Sequence, residues 1–165
     1  CVTMIVFNHP LVGEYVASHA HALFNPVTDN TIGVVNDSVP QDDPSFVRGG
    51  VLFTNYTQAS IWLHMAGAGS SWATPTFLWA VFDYPFNQLG CRRVYGIVEA
   101  ANQHALNVDR RLGFEMMTSL PDVFASGDGI VVSMTREQCR WLKVKPRTLM
   151  ENGHGRRQGW IGSPS

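Results

Sequence analysis

A strand, a helix and a second strand follow one another in the middle of the chain, and this order constrains the fold most. Ser60–Met65 (SIWLHM) and Arg93–Val98 (RVYGIV) are rich in residue types that favour strands. Between them, Thr74 and Pro75 supply an N-cap and a first-turn proline for the apolar stretch Thr76–Phe86, which predicts a helix. A right-handed crossover of this kind joins two parallel strands. We therefore predict a parallel strand pair covered by a helix.

The segments before and after this unit predict a larger sheet with two more helices. Pro10 in a first helical turn predicts a helix that runs to about Leu23. Asn102 can cap a further helix, which Gly113 ends. Additional strands are expected over four β-rich or apolar runs, which are Ile32–Val35, Gly49–Asn55, Phe114–Thr118 and Ile130–Met134.

Several connections can also be predicted. Gly49–Asn55 is expected to form a hairpin with the strand that begins at Ser60. The small residues Gly67–Ser71 (GAGSS) predict a loop, and Ser126–Gly129 (SGDG) predicts a turn. A short helix capped by Thr135 is expected to follow the last strand, through Trp141.

The composition indicates a folded protein without nucleic acid or a membrane as its partner. The chain has 165 residues, of which 45% are apolar and 15% charged, and this balance argues against disorder. A formal net charge of −1 provides no global basic field for nucleic acid. No apolar stretch reaches the roughly 18 residues that a membrane-spanning helix needs.

The cysteines and the chain length indicate a location and a domain organisation. Three cysteines, none of them in a C-x-x-C pair, fit neither a disulfide framework nor a structural zinc site. We therefore expect a cytoplasmic protein without a metal. The length predicts one domain over residues 1–145, followed by a loosely ordered Gly- and Arg-rich tail over 146–165.

Two segments carry a resemblance to a known family. The first is Val98–Phe114 (VEAANQHALNVDRRLGF), in which an Asn-led helix ends in L-G-F. The second is His64–Gly69 (HMAGAG), which is similar to a Q/R-x-x-G-x-G/A loop with His in place of Gln or Arg. On these segments and their order, residues 32–142 resemble the GNAT superfamily of N-acetyltransferases. They look specifically like the short GNAT-type proteins encoded by tailed bacteriophages.

The resemblance implies a fold and an activity. The fold is an α/β domain whose mixed, mostly antiparallel sheet has six or seven strands, a splayed parallel pair and helices on both faces. The activity is transfer of an acetyl group from acetyl-CoA directly to a primary amine, on a protein lysine, a protein N-terminus or a small molecule. A phage source would make a host protein in the bacterial cytoplasm one such acceptor. The oligomeric state is left open, with a homodimer as one option.

The resemblance also implies where acetyl-CoA binds. Backbone N–H groups in a glycine loop before a helix favour a pyrophosphate, so Gly67 and Gly69 would let the backbone approach it. Asn102 would contact the cofactor arm, or it would act only as a helix N-cap. The full set of implied cofactor-binding residues is Leu63, Met65, Ala66, Gly67, Ala68, Gly69, Asn102 and Ala105.

An amine acceptor is protonated at neutral pH, so the reaction needs a base. His64 is the first candidate because a neutral imidazole is available near pH 7, although it could instead be a core residue. Glu99 is the second candidate, and the alternative is a solvated carboxylate. Asp109 occupies the position where many GNAT enzymes have an acidic Tyr, which leaves the general acid unassigned. The competing hypothesis is therefore an inactive GNAT-fold binding module that acts on a protein partner by occupancy.

Overall fold

A computed structural model describes residues 3–143 and residue 146. Its seven strands are β1 (Thr3–Phe7), β2 (Asn30–Asn36), β3 (Val47–Thr54), β4 (Ser60–Gly67), β5 (Arg93–Glu99), β6 (Glu115–Phe124) and β7 (Gly127–Thr135). They form one sheet in the order β1-β2-β3-β4-β5-β7-β6. Every neighbouring pair is antiparallel except β4 and β5, which are parallel. The predicted mixed sheet with one parallel pair is confirmed.

Three helices, α1 (Pro10–Ala20), α2 (Pro75–Asp83) and α3 (Gln103–Leu112), connect the strands. The predicted caps form: Thr74 Oγ1 accepts from the Phe77 amide at 3.2 Å, and Asn102 Oδ1 accepts from the Ala105 amide at 3.1 Å. Gly113 ends α3 with φ of 111°, a conformation that favours glycine. A short π-helical turn, Tyr84–Gln88, continues α2.

The helices lie on both faces of the sheet, as expected. On one face, Val12 and Val16 of α1 pack with Val35 and Leu52. On the opposite face, the apolar side chains of α2 and the end of α3 form the larger core, whose fully buried members include Phe53, Phe77, Phe82 and Phe86. None of the helices in the described part of the chain is long and apolar enough to cross a bilayer.

The chain departs from the sequence-based prediction at both ends of the domain. The apolar residues near the start form the edge strand β1, which the sequence analysis does not predict. The first helix ends at Ala20 rather than near Leu23, because His21 adopts a left-handed conformation with φ of 53°. The predicted helix after Thr135 is wrong: a turn follows, and then a single 3₁₀ turn, Arg140–Lys143.

A reciprocal hydrogen-bond pair is present at the turn that the chain forms in place of that last helix. Thr135 Oγ1 accepts from the Gln138 amide at 3.3 Å, and the Gln138 side chain accepts from the Thr135 amide at 2.9 Å. This reciprocal pair resembles a helix cap, but it closes one turn only. The tail predicted over 146–165 lies outside the described residues, apart from residue 146.

Candidate functional site

The parallel strands β4 and β5 pair at one end and separate at the other. Their pairing consists of Ser60 with Arg93, Ile61 with Val94, and Trp62 with Tyr95. Beyond that point β4 continues to Gly67 and β5 to Glu99 without further pairing. The main-chain groups that face each other across this gap are therefore available to a ligand.

A stacked aromatic pair and a glycine lie at the place where the strands separate. The Trp62 and Tyr95 rings stack at a centroid distance of 5.2 Å on the last paired residues. The next residue of β5 is Gly96, and the Leu63 carbonyl oxygen lies 3.4 Å from the position that a Cβ would take there. A Cβ at Gly96 would thus make an ordinary van der Waals contact with the main chain of β4, and a tighter contact of 3.2 Å with Val132 Cγ2.

A cavity of about 120 Å³ lies at the gap, and it brings together six of the predicted site residues. They come from two strands and the helix that follows, and they are Leu63, His64, Met65, Glu99, Asn102 and Ala105. The other four predicted residues, Ala66, Gly67, Ala68 and Gly69, lie further along the same segment and do not line this cavity. His19 and Phe124 also line it, and sequence reasoning missed both because they come from distant elements.

His64 is held in the cavity with an environment that favours the neutral imidazole. Its Nε2 lies 3.2 Å from Thr54 Oγ1 on the neighbouring strand. Burial lowers the pKa of His64 below its usual value of about 6.5, and the negative charge of Asp29 partly opposes this effect. His64 can therefore accept a proton at neutral pH.

Glu99 is fixed at the mouth of the cavity by two partners. Its Oε1 lies 3.1 Å from His21 Nε2, and its Oε2 accepts a 2.5 Å hydrogen bond from the Ser126 hydroxyl. The His21 ring also meets the edge of Phe124 at a centroid distance of 6.4 Å. Glu99 thereby connects β5 to the end of α1 and to the turn between β6 and β7.

Asp109 lies across the cavity on α3, one helical turn beyond Ala105. Burial raises the pKa of its carboxyl group to about 7. The carboxylate has no hydrogen-bond partner among the described residues. An Asp in this position can therefore hold a proton near neutral pH, which sequence alone does not indicate because it depends on tertiary burial.

The first residue of the predicted loop Gly67–Ser71 belongs to strand β4 and packs against the core. Gly67 is the last residue of β4, and a Cβ at this position would meet Trp72 Cε2 at 2.0 Å. A Cβ at Gly49 on the adjacent strand would also meet the Trp72 ring, at 2.3 Å. Trp72 is buried on the sheet and contacts Phe77 edge to face, at 5.3 Å between centroids. Gly67 therefore makes room for the indole, and Trp72 is a core residue rather than part of the cavity wall.

The turn that follows Gly67 leads to the amino end of α2. Gly69 has φ of 71°, and its carbonyl oxygen accepts from Trp72 Nε1 at 3.0 Å. The amides of Ser70, Ser71 and Trp72 have no hydrogen-bond acceptor among the described residues. Free amides next to a helix amino end attract an anion. In residues 3–143 and 146, no three His, Cys, Asp or Glu side chains are placed to hold a metal ion.

Replacement of Asn102 separates its capping role from a role in binding. Asn102→Ala is expected to lower the free energy of unfolding by about 1 kcal/mol, because the Ala105 amide loses its cap. Asn102→Ser keeps a capping oxygen and should retain the stability of the unmodified protein. If the Asn102 side chain also contacts acetyl-CoA, Asn102→Ser will weaken acetyl-CoA binding in a titration while urea unfolding stays unchanged. Unchanged binding would leave Asn102 as a cap alone.

Comparison with known proteins shows a likeness in structure and not in sequence. No protein-family model and no curated protein sequence matches the chain. Spermidine/spermine N-acetyltransferase SpeG from Vibrio cholerae, solved in complex with manganese ions, is 15% identical with a TM-score of 0.61. That match covers 86% of this chain and 95% of SpeG.

Two further structures give the same result. A mutant of the Vibrio cholerae spermidine N-acetyltransferase SpeG is 19% identical with a TM-score of 0.55, over 76% of this chain and 72% of that one. A probable acetyltransferase is 16% identical with a TM-score of 0.53, over 68% of this chain and 63% of that one. Together with the separated β4–β5 pair, these similarities show that the chain has the GNAT fold.

Proposed function

We propose that this protein is an N-acetyltransferase that moves an acetyl group from acetyl-CoA directly to a primary amine. The observation that carries the proposal is the gap between β4 and β5, with His64 and Asp109 on the walls of one cavity. A proton acceptor and a proton donor on the same cavity are what this reaction needs. The acetyltransferases with the same fold support the proposal.

The residues around the gap suit acetyl-CoA. The unpaired edges of β4 and β5 offer N–H and C=O groups to the amides of the pantetheine arm. Leu63, Met65 and Ala105 line the cavity beside that arm. The pyrophosphate would lie against the turn from Ala66 to Trp72, where free amides and the amino end of α2 favour negative charge.

His64 and Asp109 would move the protons of the reaction. An alkyl ammonium with a pKa near 10.4 has lost its proton in only about one molecule in a few thousand at pH 7. His64 accepts this proton, and the amine nitrogen then bonds to the thioester carbonyl carbon. A main-chain N–H of β4 stabilises the oxygen as negative charge develops on it. The carbon–sulfur bond breaks, Asp109 donates its proton to the leaving thiolate, and the new amide nitrogen releases its second proton to solvent.

Glu99 fits the role of base less well than His64. Both of its carboxylate oxygens already have a partner: Oε1 lies 3.1 Å from His21 Nε2, and Oε2 accepts from the Ser126 hydroxyl. A phage source, a cytoplasmic location and a host-protein acceptor stay predictions of the sequence.

Titration with acetyl-CoA, followed by a thiol-release assay with primary amines, tests the proposal. We expect binding and amine-dependent release of CoA. Ser71→Asp places a carboxylate beside the free amides and should weaken binding at least tenfold, about 1.4 kcal/mol, by repulsion of the pyrophosphate. Ser119→Asp, on the exposed strand β6, is the matched control and should bind normally.

Two results would contradict the proposal. A folded protein that does not bind acetyl-CoA has no donor and is not an acetyltransferase. Binding without transfer to any amine would favour the inactive binding module instead. Gly67→Asp is a poor probe of the same site, because its side chain would collide with Trp72 and disturb the core.

A further inference from the structure

A bulge in β3 directs Arg48 towards a second cavity. Strand β2 pairs with Gly49 and then with Val47, so Arg48 is an extra residue on its strand. Val47 packs with α1, whereas a Cβ at Gly49 would face Trp72 on the opposite side of the sheet. Residues two apart share a face in a regular strand. The bulge therefore breaks the alternation, and Arg48 lines a cavity with Trp72 on the face that α2 covers.

This second cavity, the Arg48 cavity, has a volume of about 210 Å³. Its polar side chains are Arg48, Thr3, Ser71 and Thr74, and its other described residues are apolar. No carboxylate is among them, and within residues 3–143 and 146 Arg48 has no ion-pair partner. The described lining thus combines a half-buried cation with three hydroxyl groups and no opposing charge.

These groups suit a phosphate. A guanidinium binds phosphate through two parallel N–H···O bonds, a geometry that Lys cannot reproduce. Hydroxyl groups can donate to further phosphate oxygens. Thr74 Oγ1 accepts from the Phe77 amide, which leaves its O–H available as a donor. The cavity therefore offers donors of the kind that a doubly charged, oxygen-rich group needs.

We infer that the Arg48 cavity binds a phosphate group and that Arg48 is its principal ligand. Two sources carry such a group. One is acetyl-CoA, whose ribose bears a phosphate in addition to the pyrophosphate, and this source rests on the proposed function. The Ala68 amide donates to the Arg48 carbonyl oxygen at 2.9 Å, so the cavity begins beside the turn where the pyrophosphate would lie. The other source is a separate phosphorylated molecule.

A matched pair of cofactors tests the first source, because acetyl-CoA and acetyl-3′-dephospho-CoA differ only in the ribose phosphate. The wild-type protein should bind acetyl-CoA about tenfold more tightly in a calorimetric titration, since the second compound lacks the group that pairs with Arg48. Arg48→Met keeps the apolar stem without the charge and should reduce this preference to below about threefold. Arg48→Lys keeps the charge without the paired N–H groups and should lie between them.

Inorganic phosphate tests the cavity without any cofactor. Line broadening in phosphorus NMR should show that the wild-type protein binds phosphate, and Arg48→Met should weaken this binding about fivefold or more at equal ionic strength. Arg92→Met is the matched control and should bind as the wild-type protein does. Arg92 is an exposed arginine just before β5, at the end of the sheet opposite Arg48. Equal urea unfolding midpoints establish that each variant is folded.

The outcomes separate the inference from the proposed function. A cofactor preference that Arg48→Met removes supports the ribose phosphate as ligand, and Arg48-dependent phosphate binding without that preference supports a separate molecule. If Arg48→Met changes neither the cofactor preference nor the binding of phosphate, the inference is overturned and the acetyltransferase stays intact. A protein that binds phosphate through Arg48 but does not bind acetyl-CoA overturns the proposed function alone.

Discussion

Replacement of His64 by alanine is expected to lower kcat by about 10²–10⁴, the usual contribution of a general base. The imidazole lines the cavity, its Nε2 is fixed by Thr54, and its lowered pKa keeps it neutral at pH 7. Without it, the acceptor must lose its proton to water before it reacts. Thiol release at saturating acetyl-CoA and amine measures the effect.

The pH dependence distinguishes loss of the base from loss of structure. In His64→Ala, kcat should rise steadily with pH up to about 7, where Asp109 still carries its proton, because solvent then has to deprotonate the amine. On its acidic side, the wild-type protein should lose activity as His64 becomes protonated, at a pH below the usual imidazole pKa of about 6.5. His64→Gln can keep a hydrogen bond to Thr54 but cannot take the proton, so it should behave like His64→Ala. Full activity in both variants would exclude His64 as the base.

The sequence predicts the parallel pair and two helix caps because these depend on local chemistry. Thr74 and Asn102 cap the helices that they were expected to begin, and Gly113 ends the second. The order of strand, helix and strand predicts a right-handed crossover between two parallel strands. The parallel pairing of β4 with β5 agrees with this prediction. Local signals of this kind need no knowledge of distant residues.

The parts that the sequence does not predict depend on distant contacts. Gly67 was expected to face a phosphate, yet its missing side chain admits Trp72, a fact that only the packed sheet reveals. The contacts of Glu99 with His21 and Ser126 join three elements far apart in the chain. Each of these residues has an unremarkable sequence context, and tertiary packing places them together.

For Asp109, the acidity expected from the sequence differs from the acidity that the structure indicates. An ordinary carboxyl group, with a pKa near 3.8, is a poor acid at pH 7 because it has already lost its proton. Burial beside the cavity raises this pKa to about 7, so in the proposed reaction the carboxyl group would still carry a proton for the leaving thiolate. Under the proposed function, Asp109 would take the role of the Tyr that many GNAT enzymes have at this position.

Asp109→Asn is expected to lower kcat by about 10² at pH 6.5 and to change the pH profile. In the wild-type protein, Asp109 loses its proton as the pH rises through about 7, so kcat should fall on the alkaline side. The Asn variant has no such group, and that alkaline fall should disappear. A wild-type profile that stays flat to pH 9 would exclude Asp109 as the acid.

The same replacement should stabilise the fold at alkaline pH, which is a readout independent of catalysis. Because the folded-state pKa lies above the unfolded value, the contribution of Asp109 to stability is full below about pH 4 and is lost as the pH rises through about 7. Above that pH the buried carboxylate costs up to roughly 4 kcal/mol, and Asn removes this cost. Urea unfolding should therefore show a more stable Asp109→Asn variant at pH 8 and little difference at pH 4. Equal stability at both pH values would mean that Asp109 ionises as a solvated carboxylate does, and the acid would then have to come from solvent.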